Sequence, residues 1–136
     1  MKLVVDANVL FSALIKDSAT RRLFFDEELE LYAPEYVLEE FAEHRKEIMQ
    51  KVGRGETGFE GVMAVLRSRI TVVPAAAFIR HMGKALQASP DKGDAPYLAA
   101  ALSLGGCAIW SNDKGLKEQK EIKVVSTSEL LFALGQ

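Results

Sequence analysis

Three aspartates stand where carboxylates can do chemistry. Asp6 directly follows the apolar run Leu3-Val4-Val5, Asp113 follows Cys107-Ala108-Ile109-Trp110 by way of Ser111 and Asn112, and Asp94 stands at the start of an apolar helical pattern. In a parallel sheet flanked by helices, ligands collect outside the carboxyl ends of the strands. All three acids then share one edge, where their charges oppose one another. Hard carboxylate oxygens suit Mg2+ or Mn2+, ions that offset such a cluster and accept phosphate oxygens as further ligands. The chemistry indicated is metal-assisted hydrolysis of a phosphate ester. Asp6 and Asp94 also have a plainer reading, because Asp is a good helix N-cap and an anion is favoured at a helix start. Local pattern leaves both readings open for Asp6 and Asp94.

The elements that must position these acids follow from periodicity. Val9, Leu10, Ala13 and Leu14 recur at helical spacing to about Lys16. Past Asp17 and Ser18 a second short helix runs through Leu23, Phe24 and Phe25, with Arg21 and Arg22 in its first turns. Leu29 to Ala33 reads as a strand, and Pro34 suits the first turn of a long helix to Val52. Val37, Leu38, Phe41, Ala42, Ile48, Met49 and Val52 form its apolar stripe. Glu39 and Glu40 flank that stripe on opposite sides, and periodicity does not choose between them. Gly53, Gly55, Gly58 and Gly61 predict a loop leading to a helix through Val62, Val65 and Leu66.

Ile70 to Val73 is a β-branched strand stopped by Pro74, and a helix through Phe78, Ile79, Met82 and Leu86 follows. Ser89 to Asp94 forms a turn before an apolar helix that carries Tyr97, Leu98, Ala101 and Leu102 and ends at Gly105-Gly106. Cys107 to Trp110 is a buried strand, Lys123 to Val125 an edge strand and Ser128 to Leu134 a closing helix. The alternation predicts a three-layer α/β/α fold around a central, mostly parallel sheet of about four or five strands.

A chain of 136 residues is sized for one domain, residues 1–136, with its own core. A net charge of −2 excludes a grip on nucleic acid through bulk positive charge. One cysteine, Cys107, rules out a disulfide framework and reads as a small core residue in a reducing compartment. No apolar run is long enough to cross a membrane, and Asp6 and Asn8 interrupt what would be the core of a secretion signal, so a cytoplasmic location is expected. Serine-hydrolase, dinucleotide-binding, paired-cysteine and histidine-rich zinc patterns are absent, and neither His44 nor His81 has an evident catalytic partner.

Four stretches together resemble the PIN domain, the fold of many metal-dependent ribonucleases. They are Val4-Val5-Asp6-Ala7-Asn8-Val9-Leu10, Pro34-Glu35-Tyr36-Val37-Leu38-Glu39-Glu40-Phe41, Asp91-Lys92-Gly93-Asp94-Ala95-Pro96-Tyr97-Leu98-Ala99-Ala100-Ala101 and Ile109-Trp110-Ser111-Asn112-Asp113. The resemblance spans nearly the whole chain and rests on the order and spacing of the motifs.

It implies that Asp6, Glu40, Asp94 and Asp113 are an acidic quartet holding Mg2+ or Mn2+, with Glu40 chosen over Glu39 because the family's glutamate precedes an apolar residue. It implies Ser111 as a substrate or water contact and Asn8 as a support that orients Asp6, while Asp91 serves as an accessory acid or in the turn. Arg21, Arg22, Lys92, Lys114 and Lys117 are candidate RNA contacts. The activity implied is endoribonucleolytic, and the likeness is greatest to prokaryotic single-domain members, including the toxins of toxin-antitoxin pairs. An antitoxin partner and a homodimer are implied by analogy. The competing expectation is a catalytically silent PIN-like module that binds RNA or protein. A phosphatase acting through an aspartyl-phosphate is disfavoured, since that chemistry wants a second acid at Asn8.

Overall fold

The computed structural model describes residues 1–16 and 18–135. Asp17, placed by the sequence in the break before the second helix, and Gln136 lie outside the described residues. Five parallel strands, β1 (Lys2–Val5), β2 (Glu30–Pro34), β3 (Ile70–Val73), β4 (Ala108–Trp110) and β5 (Val124–Val125), form one sheet in the order β3-β2-β1-β4-β5. Leu3, Val4 and Val5 are wholly buried. That is why β1 reads as a continuous apolar run: helices cover both faces of a parallel sheet.

The helices are α1 (Ala7–Phe11), α2 (Ser18–Phe24), α3 (Tyr36–Glu43), α4 (Arg45–Val52), α5 (Gly55–Arg69), α6 (Ala75–Phe78), α7 (Met82–Ala88), α8 (Ala95–Ser103), α9 (Lys114–Glu118) and α10 (Thr127–Ala133). Helix α8 packs on β1, β2 and β4. Its buried residues include Ala95, Ala99, Ala100 and Ala101, small side chains that let the helix approach the sheet closely. A helix apolar on nearly every side is buried on nearly every side.

Four expectations are corrected. The helix expected through Phe78, Ile79, Met82 and Leu86 is α6 and α7, joined by a tighter 3-10 turn over Ile79–His81. The first helix is α-helical only to Phe11 and continues over Ser12–Lys16 as a π-helix. Arg21 Nε supports that wider turn by donating to the Ala13 carbonyl at 2.7 Å. The single long helix after Pro34 is two, because His44 (φ −98°, ψ 18°) leaves the helical region between α3 and α4. The bend lets both Phe41 and Ile48 be fully buried, and Phe41 stacks on Phe11 with ring centroids 4.3 Å apart.

The glycine-rich stretch is not a loop. It supplies a sharp entry, with Gly53 and Arg54 at φ 79° and 64°, and then the first turns of α5, the 15-residue helix. A Cβ on Gly58 would lie 2.0 Å from the Gly53 carbonyl oxygen. Close backbone approach, rather than flexibility, is what Gly58 provides.

Candidate active site

Strand β1 pairs with β2 on one side and β4 on the other, so the direction of winding changes between β1 and β4. The crevice outside the carboxyl ends of these two strands is where an open α/β sheet places its ligands. Asp6 leaves β1 there, and its N–H donates to the Trp110 carbonyl at 3.0 Å, which sets it beside the residues leaving β4.

Ser111 Oγ donates to Asp6 Oδ2 at 2.7 Å and accepts from the Asp113 N–H at 3.1 Å. Asp6 is 6% exposed and Ser111 1%. Burial pushes the Asp6 carboxyl above its ordinary range, the Ser111 hydroxyl and the backbone N–H of Asn8 oppose the shift, and the charge on Asp113 adds to it. Asp113 is exposed, and its Oδ1 accepts from the N–H groups of Gly115 (2.8 Å) and Leu116 (3.4 Å) at the start of α9. It is therefore a helix cap as well as an acid of the crevice. Asp6 and Asp94 stand at the N-cap positions of α1 and α8 without a side-chain capping hydrogen bond of ordinary geometry, although the backbone N–H groups of Asn8 and Ala7 act on the Asp6 carboxyl.

Helix α3 turns Glu40 inward, half-buried, and leaves Glu39 exposed. The buried Tyr97 hydroxyl, delivered by α8, donates to Glu40 Oε1. Burial pushes Glu40 upward; the Tyr97 hydrogen bond works against that and the charge on Asp6 reinforces it. The Tyr97 phenol is itself pushed well above its ordinary range by burial and then by Glu40. Asp94 ends the short turn Lys92–Asp94 before α8. Its carboxyl is pushed up to about 6, first by burial and then by the charges of Asp6, Asp113, Asp91 and Glu40. Three segments distant in sequence thus bring Asp6, Glu40 and Asp113 within electrostatic reach of Asp94.

Ser111 and Asn8 both bear on Asp6, Ser111 through its hydroxyl and Asn8 through its backbone N–H. Ser111 is buried and holds Asp6, so it is no open contact for substrate or water. Asn8 is exposed, and its side chain has no hydrogen bond to Asp6 among the described residues. Asp91 takes the turn role, accepting from the Gly93 N–H at 2.9 Å. Of the candidate RNA contacts, Arg21 is committed to the Ala13 carbonyl and Lys117 to Glu129. Arg22, Lys92 and Lys114 are exposed, with no ion pair among the described residues. Tyr97 escaped the sequence reading. Its signal was a phenol amid alanine and leucine, since a buried tyrosine hydroxyl requires a partner. Cys107 is half-buried, and burial pushes its thiol up, away from a nucleophile's range.

The donor set fits a hard divalent ion, for it consists of carboxylate oxygens whose mutual repulsion lacks a compensating cation among the main influences on Asp94. Among the described residues no three such side chains close on a single point as a finished cage. Two larger hollows, of about 570 and 680 Å3, lie elsewhere, and neither contains any of the four acids.

A PIN domain family model matches residues 4–134. Among solved structures, the chain is similar to VapBC2 from Rickettsia felis bound to a DNA fragment from their promoter, with a TM-score of 0.69 and 14% identity over 93% of this chain and 98% of that one. It is also similar to FitAcB from Neisseria gonorrhoeae, with a TM-score of 0.58 and 14% identity over 94% of this chain and 99% of that one. No curated protein sequence matches. Structural likeness at this identity shows the fold alone.

Proposed function

This chain belongs to the PIN-domain family, and on that premise we propose that it is a Mg2+- or Mn2+-dependent endoribonuclease hydrolysing RNA phosphodiester bonds. The observation that carries the reading is Asp94: its carboxyl meets the charges of Asp6, Asp113 and Glu40, each from a different segment, at the switch point of a parallel sheet. Carboxyls perturbed by burial and by one another in a cleft mark a candidate functional site.

Asp6, Glu40, Asp94 and Asp113 are the residues that would hold one or two ions. Bound there, Mg2+ or Mn2+ supplies a Lewis acid that lowers the pKa of a coordinated water and offsets charge on the attacked phosphate. The chain's own contribution is orientation. Ser111 keeps Asp6 in one rotamer and ties it to the Asp113 backbone, while Tyr97 aims Glu40. Lys92 and Lys114, next to the acids in sequence, and Arg22 remain available to meet RNA phosphates.

The family resemblance also supports a role as the toxin of a toxin-antitoxin pair, with an antitoxin partner, a homodimeric state and a cytoplasmic setting. Among the described residues no helix is long and apolar enough to cross a membrane. The test of the activity is cleavage of a mixed single-stranded RNA pool by purified protein in Mn2+. Cleavage that requires the metal and is lost in Asp94→Asn is the expected result, and an intact pool at high enzyme concentration overturns it. The splayed acids favour one second reading, a catalytically silent module. RNA binding without cleavage, unaltered by metal, would establish that instead.

A further inference from the structure

Beside the acids lies a hollow of about 290 Å3 lined by Asp6, Asn8, Val9, Ser12, Asn112 and Asp113. Asn8 and Ser12 are four residues apart, a spacing that places two side chains one above the other on a helix face. They form one wall. Asn112, also in the lining, is held by its neighbours: its carboxamide accepts from the Thr127 N–H at 2.8 Å and donates to the Thr127 hydroxyl at 3.0 Å. Among the described residues the side chains of Asn8 and Ser12 have no hydrogen-bond partner, although both line the hollow. Ser12 also opens the π-helix Ser12–Lys16, a rare widening of the helical turn that recurs at functional sites.

The hollow thus joins an acidic end to a wall of one carboxamide and one hydroxyl, each able to donate and to accept. No lysine or arginine lines it, so a phosphate is not what Asn8 and Ser12 would hold. A neutral unit rich in hydroxyl and amide groups, covalently attached to a phosphate held at the acids, matches both ends.

We propose that Asn8 and Ser12 form a subsite for the ribonucleoside that flanks the scissile phosphate, hydrogen-bonding its ribose and base edge. The proposal rests on the nuclease reading for the identity of the substrate, but its geometry is independent of cleavage. It also gives a means of preferring RNA, since a 2′-hydroxyl both donates and accepts.

The test is titration of isotope-labelled protein with a nucleoside 5′-monophosphate in Mg2+, followed by the Asn8 side-chain amide signals. Saturable shifts are expected, weaker for the 2′-deoxy monophosphate and weaker by about three- to tenfold in Ser12→Ala, the effect of losing one neutral hydrogen bond. Unchanged thermal midpoints establish that the variant is folded. Shifts that are absent, or equal for Ser12→Ala and wild type, overturn the subsite even if the protein cleaves RNA. Shifts without RNA cleavage uphold the subsite and remove the nuclease reading.

Discussion

The Ser111 hydroxyl spans the crevice between β1 and β4, donating to Asp6 and accepting from the backbone of Asp113, so that a buried neutral side chain sets the separation of two acids 107 positions apart in numbering (113 − 6). Ser111→Ala removes the donor to Asp6 Oδ2 and the acceptor for the Asp113 N–H together. An unsatisfied buried polar group costs about 1–3 kcal/mol, so chemical denaturation should show a loss of that size. Because Ser111 opposes the upward shift on Asp6, its removal moves that carboxyl further up. Isothermal titration with Mn2+ should show binding weakened by about 10- to 100-fold, as for other residues that orient ligands. Undiminished Mn2+ binding in a folded Ser111→Ala would detach Ser111 from the site.

Asp94 makes metal-free stability depend on pH. Its carboxyl moves from an ordinary 3.8 to about 6 in the folded chain. The folded state therefore holds this proton more tightly than the unfolded state. The resulting stability is fully present below about pH 4 and is lost as pH rises through about 6. Asp94→Asn keeps the neutral form at every pH. With solvent screening of this partly exposed group allowed for, the gain at pH 7 is on the order of 1 kcal/mol. Calorimetry without metal should find the variant melting about 2–5 °C above wild type at pH 7 and level with it near pH 4. Added Mn2+ should then stabilise the variant less than wild type. A lower midpoint at pH 7 would instead mean that the Asp94 carboxylate supports the start of α8.

Gly58 and Gly61 separate two consequences of glycine in one helix. Gly61 has open space around its Cβ position, and alanine there should stabilise α5 by about 0.5–1 kcal/mol through the lower entropy of the unfolded chain. Gly58→Ala drives a methyl group against the Gly53 carbonyl and should destabilise by about 1–3 kcal/mol or shift the entry to the helix. Thermal melts of both variants decide it, and equal effects would contradict the close approach at Gly58.

The strand-to-acid junctions at Asp6 and Asp113 were legible because an apolar run and the residue that ends it are neighbours in the chain. The parallel α/β class was legible for the same reason, since alternating periods need only local windows. Glycines are harder to read. A residue that permits any backbone angle also permits a close contact, and only the Gly53 carbonyl distinguishes the two at Gly58.

The sequence by itself determined which residue types stand at strand ends and helix starts, and only the resemblance to the family indicated Glu40 in place of Glu39. Tertiary structure alone decided what each acid touches. Ser111 reaches Asp6 because β4 pairs with β1, and Tyr97 reaches Glu40 because α8 and α3 both pack on β2. Those bonds join residues 105 and 57 positions apart. The order of strands and the rotation of a helix about its axis are set by packing across the whole core. Periodicity carries neither.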